Sequence, residues 1–325
     1  MRSTAGTCNV ARPACCSAPA PACRWAARCC GTDVRVQLTL FDVGHCRHCE
    51  RVTLAGGRWA SVTFPSMVAL IVHPTEGAIL YDTGYAPHFI GATAAFPERA
   101  YRWATPAALP QAQRLEVQLA ACGLRPSDIR WCLVSHFHAD HIAGLRDLPS
   151  ARFMCMREDL EGMRAMSRLR GLRNGWLPAL VPDDFDARVR YAGDGIARAL
   201  PAPWTTLGEG VDLFGDGSLF AVAMPGHAPR QMGLCLRDAQ DRAVLLCADA
   251  CWSHLTFRER RLPTWPARLV THDWAAYVRT VERLHALART APDVAILPSH
   301  CRASLDAYRA ATSATMPGGR ACASS

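Results

Sequence analysis

The stretch LVSHFHADHIAG, Leu133 to Gly144, closes an apolar run with three histidines and an aspartate in the six positions from His136 to His141. In extended chain His136 and His138 are two residues apart and point the same way, so both imidazoles can grip one ion. Asp140 and His141 follow where the chain turns towards a helix, which aims them elsewhere and offers two ligands to a second ion. One histidine in a core is ordinarily a packing residue. Three with an aspartate in one short turn read instead as a paired metal site. Neutral imidazoles with few carboxylates suit zinc, whereas all-oxygen cages suit magnesium or calcium, so two Zn ions are the expected cofactor.

Outward from this stretch the chain alternates sheet and helix. VRVQLTLFDVG (Val34–Gly44), SMVALIVH (Ser66–His73) and GAILYDTG (Gly77–Gly84) are β-rich runs with glycine or proline between them. Leucines and alanines at helical spacing before Gly123 predict a helix over Gln111–Cys122 that leads into the strand IRWCLVS, Ile129–Ser135. Further strands are expected at 152–156, 211–214, 219–224, 232–236 and 243–248, with a helix at 273–289 and a last strand in VAILPS, Val294–Ser299.

Half of the 325 residues are hydrophobic and a fifth are charged, enough for a large core and against wholesale disorder. The net charge of +8 comes from 36 arginines and no lysine. These are spread along the sequence rather than gathered in one run, so no nucleic-acid partner is expected. Six of the 16 cysteines fall within the first 30 residues, where Arg12, Arg24 and Arg28 interrupt any signal-peptide core. Residues 1–32 are expected to be a disordered Cys/Ala/Pro-rich extension, 33–312 a single folded domain, and 313–325 a disordered tail. Nothing is long and apolar enough to span a membrane, and cysteines dispersed in strand patterns fit a reduced, cytoplasmic setting.

HFHADH resembles the H-x-H-x-D-H signature of the metallo-β-lactamase-fold hydrolases. The same family pattern has a histidine after a strand and a Pro-Gly step, matched by His227 in FAVAMPGHAPRQMGLCL. It has an aspartate ending a following strand, matched by Asp249 in AVLLCADACW, and a late histidine after another strand, matched by His300 in VAILPSH. Its early Asp-Thr-Gly turn is matched by Asp82, Thr83 and Gly84. The resemblance runs from Val34 to about Ala310 and implies an α/β chain folded as a four-layer αβ/βα sandwich, with the site at one edge between two sheets. It implies that His136, His138 and His227 hold one metal and Asp140, His141 and His300 the other, with Asp249 bridging them and Asp82 orienting ligands from behind. The implied chemistry is attack of a metal-bridging hydroxide on a carbonyl or phosphoryl centre, with Asp140 or Asp249 assisting proton transfer.

Which bond is broken depends on finer features. The redox diiron relatives replace the second histidine of the signature with a carboxylate, so His138 speaks against them. Many β-lactamases lack the bridging aspartate that Asp249 matches, and the extra motifs of the nuclease branches are not found in this chain. LLCADACW with PGHAPRQMG is most similar to the N-acyl-homoserine-lactone lactonase branch. There, three positions after the bridging aspartate, the family carries a tyrosine whose hydroxyl contacts the substrate carbonyl. Trp252 stands at that place. An indole donates one hydrogen bond but is bulkier and differently placed, so weak action on short homoserine lactones and better action on another ester, thioester or lactone is expected.

The expected function is therefore a dinuclear zinc hydrolase of a lactone, thioester or ester, with Asp140, Asp249 and Trp252 as catalytic residues. Phosphodiesterase or β-lactamase activity, or non-catalytic binding of an acyl ligand, remain the alternatives. The expected partner is a small molecule with an apolar acyl part, with no membrane involved. Its wall is sought in Phe89, Phe96, Tyr101 and Trp103, and in Met163, Met166, Leu169, Trp176, Leu177 and Leu180 of the insert before His227. These side chains can equally serve to pack their own loops down. Arg157, Arg164, Arg168, Arg170 and Arg173 of that insert are expected to solvate a helix face. HCRHCE, His45–Glu50, could hold a metal or form a disulfide through Cys46 and Cys49, but its expected place after the first strand favours a loop at the mouth of the site.

Overall fold

Strand periodicity divides the side chains of this chain between several apolar layers. The computed structural model describes residues 34–314; the expected extension at 1–32 and the tail beyond Ala314 lie outside the described residues. A first sheet contains β1 (Gln37–Cys49), β2 (Ser61–His73), β3 (Gly77–Tyr81), β4 (Ala107–Ala108), β5 (Ile129–Leu133), β6 (Arg152–Cys155) and β7 (Val189–Tyr191), in spatial order β4-β1-β2-β3-β5-β6-β7. The second contains β8 (Ala197–Ala199), β9 (Glu209–Asp212), β10 (Leu219–Ala223), β11 (Met232–Arg237), β12 (Ala243–Ala248) and β13 (Ala295–Pro298), in order β13-β12-β11-β10-β9-β8. Both sheets are mixed: β1 to β3 pair antiparallel while β3, β5, β6 and β7 run parallel, and β13 lies parallel to β12 beside otherwise antiparallel neighbours.

Alternation assigns each face. In β2, Met67, Ala69 and Ile71 join the core between the sheets, while Val68 and Leu70 join the core under the helices of the first sheet. In β12, Val244 and Leu246 face the first sheet, and Leu245 and Cys247 pack on the other side with Leu284 and Leu287 of helix Trp274–Thr290. Three apolar layers separate four layers of backbone, which is the αβ/βα sandwich. No helix among the described residues is long and apolar enough to cross a membrane.

Three expectations need correction. The helix foreseen at Gln111–Cys122 is a 3-10 turn, Gln111–Gln113, and a helix, Leu115–Ala121, because Arg114 between them is extended. Helix Arg302–Ala314 was not foreseen and runs past 312; Leu305 and Tyr308 are its anchors in the central core, and the Tyr308 hydroxyl donates to Asp238 at 2.7 Å. HCRHCE is not a loop, since β1 continues to Cys49. A bulge between Asp42 and His45, with Gly44 at φ +78°, bends the strand without ending it. Cys46 and Cys49 are three apart in this strand and face opposite ways. Both are free thiols, so they form no disulfide and no common ligand pair.

The fold places the ends of β5, β12 and β13 and the β10–β11 connection together, and each of these carries part of HFHADH, Asp249, His300 or His227. Gly226, just before His227, has φ +132°, and a Cβ there would lie 2.2 Å from the backbone nitrogen of Tyr277. Only glycine allows helix Trp274–Thr290 to approach this loop so closely. Gly226→Ala is expected to destabilise the protein by roughly 2–4 kcal/mol and to displace His227. Thermal unfolding read alongside metal content checks this; a variant with unchanged melting and full metal content would contradict it.

Candidate metal centre

Proton placement decides what the site can bind, and the hydrogen bonds behind each imidazole fix it. The Nδ1 of His300 lies 2.6 Å from the carbonyl oxygen of Pro65, which can only accept, so Nδ1 carries a proton and Nε2 is left to face the cluster. His141 donates from Nδ1 to Asp82 Oδ2 at 2.8 Å. The Ser135 hydroxyl donates to the same carboxylate at 2.7 Å, leaving its oxygen to accept from His136 Nδ1 at 2.9 Å. The Nε2 atoms of His136 and His141 and Oδ1 of Asp249 are buried without a hydrogen-bond partner. Orphaned acceptors of this kind cost free energy unless a cation meets them.

These acceptors converge. His136, His138 and His227 offer nitrogens within 4.8 Å of one another, as do the ligand atoms of Asp140, His141 and His300, and those of His136, His141 and Asp249. Asp249 lies between the first two groups. Its Oδ1 is 3.3 Å from His141 Nε2, and its Oδ2 is 3.3 Å from His227 Nε2 and 3.1 Å from His300 Nε2. The structure thus brings together all seven residues singled out in the sequence, and their nitrogen-rich donor set fits two ions of the zinc type.

The electrostatics are uneven. Burial, then neighbouring imidazoles, hold His136 and His138 well below the ordinary histidine range. Burial likewise brings His227 down to about 4. Burial also opposes a charge on His141, but Asp82, Asp140 and Asp249 outweigh it and raise this histidine to about 10. His300 behaves in the same way, raised against burial by Asp249 and Asp140. Asp249 and Asp140 are in turn lowered, against burial, chiefly by His300 and His141. Without metal the His136 side is neutral and open, whereas the His300 side holds protons in place of a cation.

Supports outside the ligand motif keep this arrangement. Asp82 sits at φ +64°, strained for a residue other than glycine, and accepts from the Ser135 backbone at 2.7 Å as well as from the two side chains already named. Thr83 accepts from the Gly144 backbone at 3.0 Å and donates to the His141 carbonyl at 2.9 Å, clamping the turn that follows. Asp159, on helix Arg157–Arg164, accepts from the backbones of Phe137 at 3.2 Å and Arg230 at 3.1 Å, tying the two histidine-bearing loops together. Burial raises Asp159 to about 7. Nothing local in the sequence marks it, because both its partners are distant in the chain.

A cavity of about 480 Å³ opens over the cluster. Cys46 and His48 of β1, Phe64, Val52, Tyr101, Ala104, Trp252, Ala267 and Val270 line it beside His138, Asp140, His227, Asp249 and His300. Of the expected wall, only Tyr101 contributes. Phe89 is buried beneath Tyr101, Phe96 and Trp103 are exposed, and Met163, Leu177 and Leu180 belong to the core with Trp176 packed on Phe137. The insert reaches the cavity instead through Arg173, Asn174 and Gly175, while Arg157, Arg164 and Arg168 pair with Asp194, Asp186 and Glu98. Trp252 lines the cavity too, but its N–H donates to Asp249 Oδ2 at 2.9 Å, so its donor is turned to a candidate ligand.

Residues 62–291 match the family model of the Metallo-beta-lactamase superfamily. The chain is 27% identical over 268 residues to the N-acyl homoserine lactonase AttM of Azorhizobium caulinodans, spanning 79% of this chain and 89% of that one. In fold it is similar to a B. thuringiensis AiiA variant with N-decanoyl-L-homoserine bound at its active site, with a TM-score of 0.63 and 16% identity over 85% of this chain and 97% of the other. It is also similar to AidC, described as a dizinc quorum-quenching lactonase, with a TM-score of 0.58 and 15% identity over 83% and 89% of the two chains.

The uneven charge has a measurable consequence. Metal must displace protons from the side containing His141 and His300, so the second equivalent of zinc should release more protons than the first. Its affinity should rise about tenfold per pH unit, between neutrality and pH 10, for each proton displaced. Calorimetric titration in buffers of differing ionisation enthalpy checks this; two equivalents binding with no proton release would contradict it.

Proposed function

The chain belongs to the metallo-beta-lactamase superfamily, and from that premise we propose that it is a dinuclear zinc hydrolase that opens a lactone bearing an apolar acyl chain. The observation that carries this reading is the convergence, beneath a mainly apolar cavity, of buried histidine and aspartate ligand atoms in three groups, each within 4.8 Å. His136, His138 and His227 would hold one ion, Asp140, His141 and His300 the other, and Asp249 would bridge them. Bound zinc supplies Lewis-acid pull on a carbonyl oxygen and acidifies water towards neutrality.

The rest of the task falls to the chain's own side chains. Phe64, Val52, Ala267 and Val270 take the acyl chain and exclude water from it. Tyr101 lines the cavity from helix Glu98–Ala104, and we assign to its hydroxyl the carbonyl contact for which Trp252, committed to Asp249, has no free donor. We assign to Asp140, which lines the cavity and lies 3.3 Å from His300 Nε2, or to Asp249, which does the same at 3.1 Å, the transfer of a proton from attacking water to the leaving alcohol. The commitment of Trp252 supports a preference for substrates other than short homoserine lactones.

A substrate panel of short- and long-chain acyl-homoserine lactones, simple lactones, thioesters, nitrocefin and bis-p-nitrophenyl phosphate tests this reading. Lactone opening, better with long acyl chains, lost with chelator and restored by zinc, is expected. Tyr101→Phe should lower kcat about 10²-fold at unchanged metal content. Phosphodiester turnover exceeding every carbonyl substrate, or a Tyr101→Phe enzyme with full activity, would overturn it.

A further inference from the structure

Seven of the ten large apolar side chains that stand exposed among the described residues sit on or beside the segments that line the cavity mouth. Helix Glu98–Ala104 gives Tyr101 and Ala104 to the lining and turns Trp103 outward, where Phe96 meets it edge-on with centroids 5.2 Å apart. Helix Arg168–Arg173 gives Arg173 to the lining and leaves Leu169 68% exposed. Pro266, Ala267 and Val270 line the cavity as well, and beside them in sequence Trp265 is 69% and Leu269 54% exposed. Trp59, 83% exposed, follows the turn that contributes Val52 and Thr53.

These segments are braced in pairs. Arg168 binds Glu98 at 2.8 Å, and the Thr264 backbone donates to the Val52 carbonyl at 3.0 Å. Far apart in sequence, these segments are each rich in arginine. Residues 50–59 and 96–105 carry Arg51, Arg58, Arg99 and Arg102; residues 168–175 and 264–270 carry Arg168, Arg170, Arg173 and Arg268. Against these eight stand two acids, Glu50 and Glu98, each already paired with an arginine.

We propose that this rim docks on an anionic lipid surface. Tryptophan and phenylalanine settle at head-group depth, arginines meet the head-group charge, and the cavity mouth then faces the lipid phase. The contact is peripheral, since no described helix can cross a bilayer. A second copy of the chain is the poorer occupant, because a two-fold interface would set this basic patch against itself. The inference does not depend on which bond the protein cleaves, and its test reads binding alone.

The test is co-sedimentation of the full-length, zinc-supplemented protein with sucrose-loaded phosphatidylcholine vesicles, with and without phosphatidylglycerol, at low and high salt. Binding to the anionic vesicles that weakens with salt is expected. The Trp103→Ser/Trp265→Ser double variant should bind about tenfold more weakly. Arg102→Gln with Arg170→Gln should lose about fivefold per arginine, and keeps the question answerable if the tryptophan variant misfolds. No preference for anionic vesicles, or wild-type binding by both variants, would overturn the proposal. So would a concentration-dependent dimer in sedimentation equilibrium that the tryptophan substitutions abolish.

Discussion

The site depends on one buried carboxylate. Asp82 is fully buried, strained in backbone, and accepts from a backbone N–H, a hydroxyl and an imidazole, all within 2.8 Å. A lone buried charge would be prohibitively costly; three donors make it tolerable. Through those donors it keeps a proton on the outer nitrogen of His136 and of His141, so that the inner nitrogens face the cluster, that of His136 as a lone pair and that of His141 with a proton a cation can replace. The metal-binding character of the cluster is thus set from behind the ligands.

The same arrangement explains why the core has the shape it does. Candidate ligands delivered from β5, β12, β13 and the β10–β11 connection converge only if the two sheets are held face to face at fixed spacing. The layer containing Met67, Ile71, Leu234 and Leu246 supplies that spacing. Gly226 and the bulge at Gly44 are where backbone gives way so that a helix or a strand can come closer than a side chain would allow.

What was legible in the sequence follows from range. HFHADH is local, Asp249 and His300 each follow an apolar strand and His227 a Pro-Gly step, so residue type and strand pattern together single out the side chains that the fold gathers; most strands were visible through their alternation. Asp159 was not legible, since its two backbone partners come from segments 22 and 71 residues away. Nor was the cavity wall: Phe89, Leu177 and Leu180 have the composition of a pocket lining, and tertiary packing put them in the core instead. The short edge strands β4, β7 and β8 carry too few residues for any period to show. The direction of the Trp252 N–H is likewise a tertiary fact. A substitution read from sequence as a poor substitute for a substrate contact turns out to face Asp249.

The central claim is that these seven side chains form two adjoining sites joined by Asp249. Elemental analysis of the zinc-loaded wild type and of His300→Ala, at matched protein concentration, tests it most directly. The account predicts about two ions per chain in the wild type and about one in the variant, with the remaining ion on the His136 side. One ion or none in the wild type, or two retained without His300, would contradict it.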